Sequence, residues 1–182
     1  MPTLLLVEAL PKSEGVSEVA VLGDALEVLR RGSDQRRAKH VGIKTAFPRT
    51  KTEFLHAVQR SCDYLHISAH GQEDAQGSCI FVRGGGIVTE SDLDGVTIQA
   101  STVFVNACDA MGDDLCQAFI RATARQPAHY IAPNGDATFD EALLVALLFY
   151  KALLFDGKRP AIALHYPYQR LGFTADYRWD KG

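Results

Sequence analysis

An α/β domain built on a mostly parallel sheet is the fold class this sequence predicts, and three observations predict it. Apolar runs of strand length alternate with stretches of helical period along most of the chain. The strongest runs, Thr3 to Ala9 and Ser101 to Ala107, are almost continuously aliphatic or β-branched, as strands inside a covered sheet are. Parallel neighbours need crossover connections, and the helical stretches supply them, covering both faces. With 182 residues, 47% of them hydrophobic, a single domain spanning residues 1–182 is expected.

The elements follow in order. Thr3 to Ala9 is the first strand. Ser17 to Arg31 is a helix, because Val21, Leu22, Leu26 and Leu29 recur at its spacing. Val41 to Phe47 is the next strand, and Thr50 with Glu53 forms a capping box ahead of Phe54, Leu55 and Val58. Tyr64 to Ala69 is the third strand. Cys79 to Val82 and Ile87 to Thr89 flank Arg83-Gly84-Gly85-Gly86 as a β-hairpin outside the main sheet. A short helical turn at Ser91 to Leu93 precedes the strand Ser101 to Ala107, and Gly112 opens a helix carrying Leu115, Ala118, Phe119 and Ile120. His129 to Ala132 is a short strand; a long helix from Phe139 to Phe155 closes at Gly157, and a last helical piece runs from Pro160 to about Tyr166.

Charge and composition exclude several function classes. A formal net charge of -3 and a pI near 6.0 give no global basic field for nucleic acid. The one basic cluster, Arg30, Arg31, Arg36, Arg37 and Lys39, reads as a solvated helix end, where cations suit the dipole. The N-terminus lacks a basic region before its apolar run, and Ala142 to Phe155 is too short to span a bilayer. Cys62, Cys79, Cys108 and Cys116 form no CxxC pair and no zinc-ligand spacing. Free thiols in a cytoplasmic protein, with no membrane, nucleic acid or cofactor, are the expectation.

In such sheets ligands gather at the carboxyl ends of the strands. Two chemically capable side chains stand there: His70, after "YLHISA", and Cys108, after "VFVNA". His66 and His70 share an HxxxH spacing, but four residues of extended chain separate them by about 13 Å. One zinc ion needs each ligand within about 2 Å, so no metal site is expected and His66 reads as a core residue. His70 and Cys108 at the ends of neighbouring strands instead suit nucleophilic chemistry, with the imidazole taking the thiol's proton. The N–H groups of Gly71 and Cys108 would then face a developing oxyanion.

These residues, in this order, resemble the caspase-like cysteine peptidases, and most closely their CHAT branch, which is itself similar to the separases. The resemblance rests on "YLHISAHG", on "IVTESDLDGVTIQASTVFVNACDAMG", and on "HYIAPNGDATFDEALLVALLFYKALLFDGKRPAIAL" with its Phe149-Tyr150 pair, and covers about residues 41 to 165. It implies a caspase-hemoglobinase fold and a Cys-His dyad that cleaves peptide bonds through a thioester. Cys108 would be the nucleophile, His70 the acid/base, and Gly71 and Cys108 the oxyanion donors. It also implies a protein or peptide substrate and a setting in bacterial regulated proteolysis or defence. Control is then expected from a regulatory protein partner. Asp136 and Asp140 lie where acidic residues of some relatives favour a basic P1 side chain; their plainer roles are a turn and a helix N-terminus.

The chain departs from the pattern twice. Cys108-Asp109-Ala110-Met111-Gly112 is one residue longer than Cys-x-x-Gly, and Asn134-Gly135 replaces a Leu-Trp pair. These departures motivate an alternative expectation, a catalytically inactive caspase-like module that acts by protein binding. An unrelated hydrolase using Cys108 lacks support, since no G-x-S-x-G, Walker A or G-x-G-x-x-G sequence is present and Gly84 to Gly86 sit in the hairpin.

Overall fold

The computed structural model describes residues 1–11, 15–32, 40–75, 77–171 and 176–182. Its elements are β1 (Thr3–Glu8), α1 (Glu18–Gly32), β2 (Gly42–Ala46), α2 (Lys51–Val58), β3 (Tyr64–Ser68), β4 (His70–Asp74), β5 (Gly77–Val82), β6 (Gly86–Val88), β7 (Thr102–Asn106), α3 (Asp113–Ala122), β8 (His129–Pro133), α4 (Phe139–Tyr150), α5 (Pro160–Leu171) and β9 (Tyr177–Lys181). A 3₁₀ turn covers Glu90–Leu93, and a π-helical turn, Lys151–Phe155, extends α4.

The main sheet runs β2-β1-β3-β7-β8-β9; its first five strands are parallel and β9 is antiparallel on the edge. Strand order reverses between β1 and β3, the kind of switch point at which such sheets place sites, at the strands' carboxyl ends. Period-two alternation assigns the faces. Leu5, Val7, Leu65, Ile67, Val103 and Val105 face α2 and α3. Leu4, Leu6 and Phe104 face the other way, into a core shared with Leu22 and Leu26 of α1 and Phe149 of α4. The α/β class and the two covered faces are those the sequence predicts.

Helix starts follow local chemistry. Thr50 caps α2 through its hydroxyl, which accepts from the Glu53 N–H at 3.2 Å, but the Glu53 carboxylate reaches the Arg49 N–H at 2.7 Å rather than that of Thr50. Gly157, at φ +68°, turns the chain after the π-helical segment. Arg30 and Arg31 do occupy the last turn of α1, with Arg30 paired to Glu27 at 2.8 Å; Arg36, Arg37 and Lys39 lie outside the described residues.

Two strands lie outside the strands the sequence predicts. β4 reads His-Gly-Gln-Glu-Asp and is mostly exposed; it forms because each residue pairs with β5, His70 opposite Phe81 and Asp74 opposite Gly77. The expected hairpin is therefore a three-stranded sheet. β9, Tyr-Arg-Trp-Asp-Lys, likewise gains its conformation by pairing with β8. Among the described residues no helix is long and apolar enough to cross a membrane.

Candidate active site

β3 and β7 are neighbours in register, Ser68 opposite Asn106, and the Ala69 N–H donates to the Asn106 carbonyl at 3.0 Å. Two residues beyond that pair stand His70, past the end of β3, and Cys108, past the end of β7. Both line one cavity of about 110 Å³, with Glu18, Asn106, Phe139 and Tyr177 among its other walls. His70 is exposed and Cys108 half-buried, its thiol pointing at the Ala137 carbonyl 3.9 Å away. His70 is also the first residue of β4, so the chain passes from the main sheet to the small one across Ala69 alone.

The turn after Cys108 is held from several sides. Asp109 adopts φ +54°, a left-handed conformation that aspartate tolerates better than branched residues. Its N–H donates to the Gly135 carbonyl at 3.1 Å, and the Met111 N–H to that of Pro133 at 3.2 Å. Tyr130, fully buried, donates its hydroxyl to the Ala110 carbonyl at 2.6 Å; burial holds that phenol well above its ordinary pKa, so it keeps the proton it donates. The turn is thus fixed by a left-handed Asp109 and by bonds to the loop at 133–135, where Asn134-Gly135 sits.

Two glycines fix how closely the segments approach. A Cβ on Gly71 would lie 2.0 Å from the Cys108 carbonyl oxygen, so only glycine lets β4 pass against the thiol turn. A Cβ on Gly112 would meet the Ser78 side chain of β5 at 1.8 Å. The space that Gly71 leaves is filled by the turn itself.

Beneath the cavity lies a polar network absent from the sequence reading. Glu18, in the first turn of α1 and 3% exposed, accepts from the Ser68 hydroxyl at 2.6 Å and the Asn106 amide at 2.5 Å, and faces Nε2 of His66 at 3.1 Å. Asn106 also donates to the Ala142 carbonyl at 3.0 Å and accepts from the Tyr177 hydroxyl at 2.6 Å. The available signal was the alternation: His66, Ser68 and Asn106 interrupt the α1-facing side of two central strands, and buried polar groups require partners.

The other predicted residues are placed apart from the cavity. Asp136 and Asp140 are exposed, and neither lines it; Ala137 and Phe139 do. The Asp140 carboxyl is held below its ordinary pKa by a hydrogen bond with the Thr138 side chain and by backbone N–H groups at the start of α4, the signature of a helix N-terminus. His66 is buried in the sheet, against Phe104 and Tyr150. Burial pushes Cys62 up to about 11, with the Asp63 charge adding to it, and Cys116 up to about 12, with Asp180 adding; both thiols stay protonated and inert near neutrality. Burial also raises Cys79, followed by the Asp74 charge.

Comparison by sequence gives no match to a protein family and none to a curated protein. Comparison by structure does. The chain is similar to the Drosophila initiator caspase Dronc, with a TM-score of 0.55 at 9% identity over 98% of this chain and 78% of that one. Flavodoxin 1 from Bacillus cereus is matched at a TM-score of 0.42 and 10% identity, over 87% of this chain and 100% of that one. The six-stranded, mostly parallel sheet, the helices on both faces and the small antiparallel sheet give this chain a caspase-like α/β fold.

Proposed function

We propose that the protein is a cysteine peptidase of the caspase-like kind, with Cys108 as nucleophile and His70 as acid/base. One observation carries the reading: His70 and Cys108 stand at equal steps beyond the Ser68–Asn106 pair and line the same cavity. The caspase-like fold adds to it. In this mechanism the Cys108 sulfur, its proton passed to His70, attacks the carbonyl carbon of the scissile peptide. The oxyanion is received by the Cys108 N–H and, on the β4 side, by that of Gly71. His70 returns the proton to the departing amine as the C–N bond breaks, leaving a thioester. Water then attacks the thioester, His70 again taking a proton, and releases the acid and the free thiol. The Asp109 and Met111 N–H groups are engaged with the loop at 133–135 and take no part.

The test is a peptide-library cleavage assay on wild type, Cys108→Ala and His70→Ala, with intact-mass detection of adducts from peptidyl electrophiles. Cleavage and labelling by the wild type are expected, with both abolished in Cys108→Ala. His70→Ala should be slower by about 10²- to 10⁴-fold. Cleavage that survives Cys108→Ala would sink the assignment. Absence of both cleavage and labelling would favour the binding module, for which the two engaged amides of the turn speak.

A further inference from the structure

We propose that a second cavity, at the carboxyl ends of β1 and β2, binds a small organic oxyanion that carries an apolar body. The cavity measures about 450 Å³. That lies within the range of roughly 300–1,000 Å³ typical of small-molecule clefts. None of its lining residues lines the Cys108 cavity, although the β1–α1 connection serves both: Glu8, Pro11 and Ser17 face this one, Leu10 and Glu18 the other. The site is separate from the proposed dyad, and its occupancy needs no catalysis.

Two guanidinium groups meet there because two loops touch. Arg83 stands in the β5–β6 turn and Arg49 between β2 and α2, and both line the cavity. A Cβ on Gly84 would lie 2.7 Å from the Arg49 carbonyl oxygen, and Gly84 holds φ +85°, so glycine lets the turn close against that loop. Arg83 is anchored to the end of β1. Its backbone N–H donates to the Ala9 carbonyl at 2.8 Å, and its Nε donates to the Leu10 carbonyl at 2.9 Å. Those bonds fix the stem and leave the Nη groups uncommitted.

The nearest carboxyl group is engaged elsewhere. Glu8, 4% exposed, accepts through Oε2 from the Ser17 hydroxyl and from the Val19 N–H at 3.1 Å. Its Oε1 stands 3.8 Å from Nη2 of Arg83, beyond hydrogen-bond reach. Arg49 is exposed, and its guanidinium forms no ion pair among the described residues. Guanidinium groups keep their proton throughout the physiological range. Two of them against one carboxyl group leave the cavity positive, whichever state that carboxyl group takes.

The remaining walls are apolar. Pro11, Val16, Ala20 and Phe47 supply them, and Val16 at 54% and Phe47 at 46% exposure stay open to water. An occupant that suits both halves has a carboxylate or phosphate head, which guanidinium donors grip in bidentate fashion, and an apolar body that covers Phe47 and Val16. A cation would meet like charge. A neutral amide would offer the guanidiniums only an uncharged acceptor, and an inorganic anion would leave the ring wet.

The test is a titration of the full ¹⁵N-labelled chain followed by NMR, reading the backbone amides and the Nε–Hε groups of Arg49 and Arg83. The probes are 3-phenylpropionate, 3-phenylpropionamide, phenyl phosphate and acetate. The carboxylate should bind at least about tenfold tighter than its amide, as hydrogen bonds between charged groups warrant. It should also bind tighter than acetate, which has no ring to bury. Whichever of phenylpropionate and phenyl phosphate binds tighter identifies the head group.

Arg49→Gln, at a side chain that holds no bond in the fold, should bring the acid-to-amide ratio close to one while the amide spectrum stays that of a folded chain. Phe47→Ala should lower phenylpropionate affinity to the level of acetate. The largest shifts are expected at Val16, Phe47 and Arg83. Equal binding of acid and amide, an undiminished ratio in Arg49→Gln, or the absence of any saturable shift overturns the proposal. So do shifts centred on Ala69 and Ala107, which would put the anion in the Cys108 cavity instead.

Discussion

At Gly71 the requirement is steric and local. The missing Cβ would sit 2.0 Å from a backbone oxygen, which has no rotamer to yield, so either β4 or the thiol turn would have to move. Gly71→Ala is therefore expected to cost about 3 kcal/mol of stability, the upper range for overpacking, and to slow Cys108 labelling in the fraction that stays folded. Urea unfolding followed by circular dichroism measures the first effect and intact-mass kinetics the second; a variant as stable and as reactive as wild type would refute the packing argument. The residue scale also shows the limits of reading a single position. His70, Gly71 and Cys108 announced themselves by standing where strands end. Glu18 did not, because an acid in the first turn of a helix is ordinary. Only the third dimension brings it under Ser68, 50 residues away, and Asn106, 88 residues away.

Among elements, the amino end of the sheet is tied by Asp63, just before β3. Its carboxylate accepts from the Thr3 N–H of β1 at 2.8 Å and from Arg125 at 2.6 Å, and its carbonyl accepts from Ser101 ahead of β7. Partial burial alone would raise its pKa; the hydrogen bonds from Arg125 and Thr3 outweigh that and hold it below the ordinary carboxylate value of 3.8. A carboxyl depressed in the folded state contributes stability above its unfolded pKa and loses it as pH falls through the folded one. Stability should therefore fall below about pH 4, near the unfolded value, and Asp63→Asn should be less stable than wild type at pH 7 with a flatter acid limb. Thermal melts from pH 2.5 to 7 check this; parallel curves for the two proteins would remove Asp63 from the linkage. Element reading worked where composition speaks: the buried strands β1, β3 and β7 and the helices between them lie within a residue or two of expectation. It missed β4, which lacks strand composition, and β9, whose only strand signal is Tyr177 and Trp179 alternating within five residues. Both are strands by pairing, and pairing is not local.

Across the whole molecule, the proposed dyad is divided between two bodies of unequal support. Cys108 follows β7, a central strand of the six-stranded sheet in which all five residues are buried. His70 opens β4, the edge of a three-stranded sheet, where four of five residues are exposed. The free energy for local opening is lowest where few apolar groups are buried and backbone bonds meet solvent. Ile80 and Val82 of β5 and Val88 of β6 anchor the rest of the small sheet to the core, but β4 contributes no buried apolar side chain to it. β4 is thus expected to open before the core strands, and its opening would carry His70 away from Cys108. Hydrogen exchange read by mass spectrometry should show amides of residues 71–74 exchanging before those of residues 65–68 and 103–106, under conditions where the core strands are protected. Covalent occupation of Cys108 by a peptidyl electrophile that bridges both strand ends should slow exchange in β4 selectively. Equal protection of β4 and β3 in the free protein would mean that the two sheets open as one unit, and the dyad's halves would then have to be formed and lost together.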